Sequence, residues 1–493
     1  MTYKNCSGGD LLKSSLKKYT YGQEKACLPE ETISLALTRW QNLGFPLPEV
    51  LSLEEYDKLG LPVYTCLLPQ KFPFPVESTF GKGVTPEQAK ASALMELVER
   101  FSCFSFLRQF DQGLILTYTE VKDQAIPLDY LLSPFVSVYR EPETLLALKD
   151  VPLIWTKAFE LIEGKETLLP LPWFYHIYGT TGWAAGNTVE EAILQALCEI
   201  IERHCISQVI EERLCVPTID PKSIESELIK DLLEKLAKAG LEIIIKDFSL
   251  DLGLSTIAAI AYDPAPIIPK LKFYATAGTH PNPELALIRA LTELAQHRAQ
   301  MIYRERVLKQ PAGPTFCFPL FRSRDEVNFL YQGEKIPFER LPRFSFLDFK
   351  AEIEHLLSLL ERQRFRVYVI ETTHKDLDIP AVIVTIPGAR LNRPSTKIHP
   401  YLLVARQLMN IGRYQEGTVF LEKAFAIQPS LKNSPQILCQ AAVCYKKAKD
   451  YEKAAEYFRL AQTKAPYLLQ SPKFMAEFKE VIKKASNSSL KVP

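Results

Sequence analysis

Two pairs of glutamates stand three residues apart in two segments of this chain that resemble each other. Glu96 and Glu99 form the first pair, and Glu199 and Glu202 form the second. Residues i and i+3 of a helix are neighbours on one face, so the two carboxylates of each pair lie side by side. Carboxylates that converge raise one another's pKa or bind cations, and Mg2+ prefers such oxygen ligands. The spacing therefore predicts a metal site made of four carboxylates.

The segments that carry these pairs are copies of one repeated unit. Residues 186–203 align with residues 83–100 at an offset of 103, and a weaker copy at residues 278–298 follows 94 residues after the second. Each copy begins with a Gly-bearing turn and a Thr or Asn that can cap a helix. An amphipathic helix with small Ala residues on its apolar stripe follows. Such a stripe predicts close packing on a sheet or on another helix.

In the first two copies the motif Glu-x-x-Glu-Arg is expected to end the helix, at Arg100 and Arg203. Paired carboxylates there would repel each other and face the negative end of the helix dipole. One such pair is usually a solvated helix face, whereas two pairs at equivalent places of a repeat favour a shared site. Arg100, Arg203 and Arg289 add positive charge nearby. Carboxylates, Mg2+ and arginines together indicate a nucleoside triphosphate site rather than a hydrolase site.

At these motifs the chain resembles the YcaO superfamily. The segments GKGVTPEQAKASALMELVER, AAGNTVEEAILQALCEIIER and AGTHPNPELALIRALTELAQHR are similar to the three helical signatures of that family, in the same order, and the resemblance covers residues 25–387. It implies a protein that binds ATP and Mg2+ through clustered glutamates, without a Walker loop. It also implies phosphorylation of a peptide backbone amide on its oxygen. A nucleophile then attacks the activated carbon and gives an azoline, a thioamide or an amidine.

The resemblance assigns roles to individual residues of this chain. The glutamates expected to bind Mg2+ are Glu96, Glu99, Glu199 and Glu202. The residues expected to contact ATP are Lys25, Thr32, Ser92, Asn187, Glu191, Gln195, Arg203, Arg289 and Glu293. The residues expected to be essential for catalysis are Glu99, Glu202, Arg203 and Arg289. Without the family, Lys25 and Thr32 fit an ordinary surface lysine and helix threonine equally well. Glu191 fits a partner of the helix dipole.

Length, charge and cysteine spacing narrow the class of protein. The chain has 493 residues, more than one ordinary domain, and its formal net charge of +1 argues against nucleic acid as the main partner. The first ten residues lack the apolar core of a signal peptide, and no apolar run approaches the roughly 20 residues that span a bilayer. The ten cysteines form no C-x-x-C pair. This disfavours a zinc site and predicts free thiols in a reducing cytoplasm.

The order of apolar segments predicts an α+β fold. Residues 241–249 and 255–263 are apolar runs typical of neighbouring strands, and residues 218–240 have the apolar spacing of a helix. We expect residues 1–390 to form a YcaO-like, ATP-binding core in which three related helix units pack on mixed β-sheets. Residues 391–400 form a polar, proline-bearing linker.

A different repeat occupies the C-terminal part of the chain. Tyr414 and Tyr451, like Pro429 and Pro466, are 37 residues apart. Helical hairpins at this spacing resemble tetratricopeptide repeats, which predicts an all-α domain over residues 401–493. This domain would form a groove that docks a protein partner, or it would stabilise or dimerise the core.

Two classes of function follow. The first is an ATP- and Mg2+-dependent enzyme that modifies a backbone amide of a peptide or protein substrate. The second is a partner-docking protein whose nucleotide site is regulatory or vestigial. Azoline-forming members of the family usually depend on a leader-binding partner or domain, and many end in a proline-rich tail. The sequence ends in Ser488-Ser489-Leu490-Lys491-Val492-Pro493, which does not match such a tail. This mismatch favours thioamidation or another amide modification over azoline formation. The family often forms dimers, so a homodimer is an alternative to a monomer.

Overall fold

The structure is a computed structural model that describes residues 11–69, 76, 78–108, 113–309, 318, 321, 323–391 and 393–489, the side chains of 487–489 excepted. Cys6, Cys317 and the last four residues, on which parts of the sequence interpretation depend, lie outside the described residues. The eight described cysteines are free thiols, as predicted.

The strands of the described chain form antiparallel and mixed sheets. In chain order they are β1 (Glu49–Ser52), β2 (Val63–Leu67), β3 (Ser78–Lys82), β4 (Leu114–Leu116), β5 (Leu153–Glu160), β6 (Lys165–Leu169), β7 (Trp183–Ala185), β8 (Thr218–Ile219), β9 (Glu242–Asp247), β10 (Ser255–Tyr262), β11 (Phe273–His280), β12 (Lys335–Ile336), β13 (Tyr368–Glu371) and β14 (Ala381–Thr385). One sheet has the order β1-β2-β3, and a second has the order β11-β10-β9-β8-β12 with β8 and β12 parallel. In a third, β13 lies antiparallel between β14 and the end of β5, and β14 pairs with β7.

The helices account for most of the remaining described residues. In chain order they are α1 (Pro29–Asn42), α2 (Pro86–Arg108), α3 (Tyr118–Val121), α4 (Pro142–Lys149), α5 (Leu171–Tyr178), α6 (Val189–Glu211), α7 (Glu227–Lys238), α8 (Pro283–Arg306), α9 (Arg324–Val327), α10 (Phe349–Arg362), α11 (Pro400–Asn410), α12 (Tyr414–Ile427), α13 (Pro435–Lys447), α14 (Tyr451–Lys464) and α15 (Pro472–Ser489). Within the part of the chain that is described, no helix combines the length and the apolar character that crossing a membrane requires.

Two predicted helix boundaries were wrong. α2 and α6 each span 23 residues and continue past the expected ends at Arg100 and Arg203. The apolar residues that follow each arginine, among them Phe101 and Ile206, are buried and extend the packed stripe. The glutamate pairs therefore lie inside their helices rather than at the negative end of the dipole.

Residues 218–240, predicted as one helix, form β8, a short 3-10 helix at Pro221–Ser223 and then α7. Proline has no backbone N–H and fits only the first turn of a helix, so Pro221 prevents a continuous one.

The chain divides into two compact units. The first comprises Met1–Gln112, Lys157–Thr167 and Thr180–Asn392, and the second comprises Gly113–Thr156, Leu168–Gly179 and Arg393–Pro493. The predicted boundaries at residues 390 and 400 assume continuous domains, whereas each compact unit is assembled from several segments of sequence. The division of the family domain from the C-terminal repeats remains a prediction.

The first unit contains one strand–turn–helix motif three times. β3 leads into α2, β7 into α6 and β11 into α8, at the offsets expected from the sequence. Equivalent hydrogen bonds recur: the Thr79 hydroxyl donates to the Ala93 carbonyl, and the Thr276 hydroxyl donates to the Ala290 carbonyl, both at 2.8 Å. The sequence repeat is thus a repeat of three-dimensional structure.

Small residues bring each strand close to its helix. A Cβ atom added to Gly81 would lie 2.1 Å from the carbonyl oxygen of Ala89, and one added to Gly278 would lie 2.2 Å from that of Ala286. Both distances are far below van der Waals contact, so glycine is required at both positions. Because each strand lies this close to its helix, the residues on either side of Gly81 and Gly278 lie at equivalent ends of α2 and α8.

The second unit is mainly helical. α12 and α14 begin at Tyr414 and Tyr451, and each is followed by a short 3-10 helix, at Pro429–Asn433 and Pro466–Gln470. α11 packs on α12, and α13 packs on α14. The 37-residue period of the sequence is therefore a period of helices, while its relation to tetratricopeptide repeats remains a prediction.

Candidate functional site

One face of each repeated helix lines the same cavity in the first unit, which has a volume of about 330 Å3. The lining side chains come from three equivalent positions of the repeat. They are Ser92, Gln195 and Arg289 at the first position, Glu96, Glu199 and Glu293 at the second, and Glu99, Glu202 and Gln296 at the third. Positions i, i+4 and i+7 share one face of a helix. The three copies therefore present the same face to one space.

Acidic side chains outnumber basic ones around this cavity. The seven carboxylates are those of Glu24, Glu96, Glu99, Glu191, Glu199, Glu202 and Glu293, and the five cations are Lys25, Lys82, Arg100, Arg203 and Arg289. This wall carries an excess of two negative charges, which opposes the binding of a polyanion alone. It suits a polyanion that arrives with divalent cations, because carboxylate oxygens are the ligands these cations prefer.

An arginine of α2 bridges the first glutamate pair. Nη1 of Arg100 lies 2.5 Å from Oε1 of Glu99, and Nη2 lies 3.0 Å from Oε1 of Glu96. Burial raises the pKa of the Glu99 carboxyl well above its ordinary value, Arg100 opposes that rise, and Glu96 adds to it. Burial also disfavours the charged guanidinium of Arg100, but its acidic neighbours outweigh this effect and raise its pKa.

α6 repeats this arrangement at the second pair. Nη1 of Arg203 lies 3.0 Å from Oε1 of Glu202, and Nη2 lies 3.8 Å from Oε1 of Glu199. Among the described residues, no group of three or more acidic, histidine or cysteine side chains is arranged to hold a metal ion. The four predicted metal ligands thus face one cavity as two pairs bridged by arginine. A divalent cation at these carboxylates would share them with the arginines or compete with the arginines for them.

A smaller cavity of about 40 Å3 adjoins the site and is lined by Lys25, Thr32, Ser92, Asn187 and Glu191, among others. Lys25, Ser92 and Glu191 line both cavities, whereas Thr32 and Asn187 line only the small one. The Thr32 hydroxyl donates to Oδ1 of Asn187 at 2.9 Å, and Nδ2 of Asn187 donates to Oε2 of Glu191 at 3.1 Å. Nζ of Lys25 lies 3.1 Å from Oε1 of Glu191. Hydrogen bonds and an ion pair therefore link four of the predicted ATP contacts to one another: Lys25, Thr32, Asn187 and Glu191.

The hydrogen-bonding groups of Arg289 indicate which kind of ligand the cavity fits. Its Nη1 donates to Oε1 of Gln195 at 2.7 Å, and its Nε is buried without a hydrogen-bond acceptor in the described protein. A buried N–H without an acceptor costs free energy, and phosphate oxygens are strong acceptors for guanidinium groups. The residues present therefore fit a nucleotide phosphate accompanied by a divalent cation.

Several polar lining residues are not among those predicted from the sequence, and Glu24, Lys82, His280 and Gln296 are examples. Gln296 could have been found, because it lies 94 residues after Glu202 and so occupies the same position of the repeat. Lys82 belongs to the Gly-Lys-Gly turn. Glu24 belongs to no repeated motif, and His280 stands in the third copy where the other two copies have Gly83 and Gly186. The repeat therefore gives no signal for either residue.

The cavity on three repeated helices fits a nucleotide accompanied by divalent cations. A family model described as YcaO cyclodehydratase, ATP- and Mg2+-binding, matches residues 80–390. This is more than half of the chain, and the chain belongs to the YcaO family. The predicted cofactors, ATP and Mg2+, are those of the family.

Individual relatives are distant. An uncharacterized protein of Methanothermobacter thermautotrophicus is 28% identical over 379 residues, which are 74% of this chain and 94% of that protein. A solved heterocyclase in complex with substrate and cofactor has a TM-score of 0.63 at 22% identity, over 77% of this chain and 54% of its own. YcaO from Methanopyrus kandleri, solved with AMPPCP and Mg2+, has a TM-score of 0.55 at 21% identity, over 76% and 95%. These structures confirm the predicted α+β fold, and this chain spans about half the length of the heterocyclase.

Proposed function

We propose that this protein uses ATP and Mg2+ to activate a backbone amide of a peptide or protein by phosphorylating its oxygen. ATP would leave as ADP, the activated carbon would take up a nucleophile, and phosphate would depart with the former amide oxygen to yield a thioamide, an azoline or a related product. The observation that supports this proposal most strongly is the cavity itself, where three equivalent helix faces and the segments beside them bring together seven carboxylates and five cations.

The side chains of the cavity divide into two groups by chemistry. When bound, Mg2+ and ATP supply the phosphoryl group and neutralise its charge. Glu96, Glu99, Glu199 and Glu202 are the residues that would hold the metal. Arg203, Arg289, Lys25 and Gln195 present donors that would orient phosphate oxygens, while Glu293 adds a further carboxylate.

An amide oxygen is a weak nucleophile, so its phosphorylation depends on positioning and on stabilising charge in the transition state. Arg203 and Arg289 would serve this purpose because existing contacts position their guanidinium groups, with the carboxylates of Glu199 and Glu202 for Arg203 and the amide of Gln195 for Arg289. Burial of the site also strengthens each electrostatic contact by excluding water.

Calorimetric titration of the purified chain with AMPPCP, with and without Mg2+, tests the nucleotide site. We expect the wild type to bind AMPPCP only with Mg2+ and Glu202→Gln to lose this binding while its thermal unfolding remains cooperative. Glu212→Gln is a matched control, because Glu212 lies at the end of the same helix and pairs with Arg390 instead. Binding by Glu202→Gln equal to that of the wild type would contradict the proposed role.

A second candidate function, partner docking controlled by a regulatory or vestigial nucleotide site, is favoured by the helices that recur every 37 residues in the second unit. ATP turnover with and without a peptide library separates the two. Turnover that rises with peptide supports the enzyme. Mg2+-dependent binding without any turnover supports the docking protein, and light scattering would show whether either acts as a homodimer.

A further inference from the structure

Lys82 lines the cavity, and its role follows from a difference between the three repeats. The residue that follows the third of the cavity-lining positions is Arg100 in the first copy, Arg203 in the second and His297 in the third. Burial beside Arg298 lowers the pKa of His297 to about 4. The third helix therefore has no cation at this position of the repeat for its cavity glutamate, Glu293, and its other cavity cation, Arg289, donates to Gln195 instead.

Lys82 supplies that cation from another element. Its Nζ forms an ion pair with Glu293, and the side chains keep 22% and 27% of their exposure. Lys82 is the last residue of β3 and lies between Gly81 and Gly83. A Cβ atom added to either glycine would meet α2, at 2.1 Å from the carbonyl of Ala89 and at 2.4 Å from Cβ of Gln88. Side chains alternate along a strand, so the lysine between them extends away from α2.

The lysine differs from the two arginines in a way that matters for a bound phosphate. Arg100 and Arg203 each hold two carboxylates with a planar group on the same helix. Lys82 holds one carboxylate, across elements, with a compact charge on a flexible four-carbon stem. A divalent cation that takes Glu293 would release the lysine within the cavity.

We propose that Lys82 is the residue by which this site distinguishes a nucleoside triphosphate from a diphosphate. Without nucleotide it neutralises Glu293, and with Mg2+ and a triphosphate bound it moves to the terminal phosphate. The proposal rests on the proposed nucleotide site and adds a specificity-determining residue to it.

Titration of wild type, Lys82→Met and Lys82→Arg with Mg2+–AMPPCP and with Mg2+–ADP tests this role. Hydrogen bonds to charged groups contribute enough that Lys82→Met should bind AMPPCP roughly 10- to 100-fold more weakly, with a change in ADP affinity of less than about threefold. Lys82→Arg keeps the charge and should keep most of the preference for AMPPCP. Lys90→Met is the control, because Lys90 lies on α2 over the ring of Tyr64 and does not line the cavity.

Each result of these titrations supports or contradicts the proposed role of Lys82. Equal losses for AMPPCP and ADP in Lys82→Met, with the melting temperature unchanged, would mean that Lys82 only holds Glu293 in place and would overturn the proposal while leaving the nucleotide site intact. If Lys82→Met does not fold, Lys82→Gln, which also removes the charge, takes its place, and an unchanged preference for AMPPCP in that variant would overturn the proposal. Failure of the wild type to bind either nucleotide would overturn the proposed function and this inference together.

Discussion

Gln195 and Arg289 occupy the same position in the second and third repeats, and their side chains touch: Nη1 of Arg289 donates to Oε1 of Gln195 at 2.7 Å. Contact between equivalent residues 94 positions apart shows that the repeated helices turn the same face towards a common space. Ser92, the equivalent residue of the first repeat, lines that space as well. The site is therefore a property of the repeat, and its differences between copies are where specific roles are to be sought.

Replacement of Arg289 by Gln should weaken Mg2+–AMPPCP binding roughly 10- to 100-fold, because a charge-assisted hydrogen bond to phosphate is worth more than a neutral one. Folding should be preserved, since the hydrogen bond to Gln195 is one that glutamine can also make. Arg306→Gln, on the exposed end of the same helix and bonded to the Ile267 carbonyl, should bind normally. Calorimetry of the three proteins measures the difference, and unchanged affinity in Arg289→Gln would remove the residue from the site.

Replacement of Gly278 by Ala should destabilise the first unit by about 1–3 kcal/mol, the usual cost of overpacking a tight contact. The new Cβ would lie 2.2 Å from the carbonyl of Ala286 and 2.7 Å from Cβ of Arg289. Gly44→Ala is a control, because its Cβ meets nothing within 4 Å and its cost comes only from a positive φ of 75°. Urea unfolding of both variants gives the free energies. Wild-type stability in Gly278→Ala would mean that strand and helix can separate freely.

The sequence repeat was sufficient to predict which helix faces line a common cavity. Because the offsets of 103 and 94 align three helices, they predict that Glu96 and Glu199 face a common space, and the structure places both around one cavity. The α+β class also followed, since apolar runs such as residues 255–263 correspond to buried strands. Both features can be recognised from the spacing of residues within individual segments, without knowledge of the contacts between segments.

What the sequence did not predict depends on contacts between distant segments. Glu24 and Lys82 reach the cavity only because a loop and a strand end pack beside helices far away in the chain. The glutamate motif predicts helix ends at Arg100 and Arg203, whereas burial of the residues that follow favours the longer helices of the structure. The discontinuous second unit has no local signature either, because its segments are joined by packing.

Replacement of Asp263 by Asn should cost about 3–5 kcal/mol of unfolding free energy, because it leaves a buried guanidinium short of a partner. Arg298 is fully buried, and Oδ2 of Asp263 accepts from its Nη1 at 2.8 Å, while Asp57 accepts from its Nε at 2.8 Å and from its Nη2 at 2.9 Å. Denaturant unfolding measures the loss. Asp378→Asn, which breaks the half-exposed contact with Arg39, should cost less than about 1 kcal/mol. Equal costs in the two variants would contradict the importance of burial.

His297 should make the stability of the first unit depend on pH in the acidic range. It is 6% exposed, and burial, with a smaller contribution from Arg298, lowers its pKa from 6.5 to about 4. The ring of Tyr274 is its neighbour on β11, at 6.2 Å between centroids. The unfolded chain binds a proton at this histidine below pH 6.5 and the folded chain only near pH 4. Stability is therefore complete above pH 6.5 and falls as the pH is lowered towards 4.

The expected loss is about 3 kcal/mol over that interval, at 1.36 kcal/mol for each pKa unit. Urea unfolding of the wild type and of His297→Gln at pH 4.5, 6 and 8 measures it. At pH 8 both proteins lack the charge, so their difference reports packing alone. The variant should lose less stability than the wild type between pH 8 and pH 4.5, because glutamine does not titrate. Parallel curves for the two proteins would mean that folding does not lower the pKa of His297, and the histidine would then be protonated below pH 6.5 in the folded chain as well.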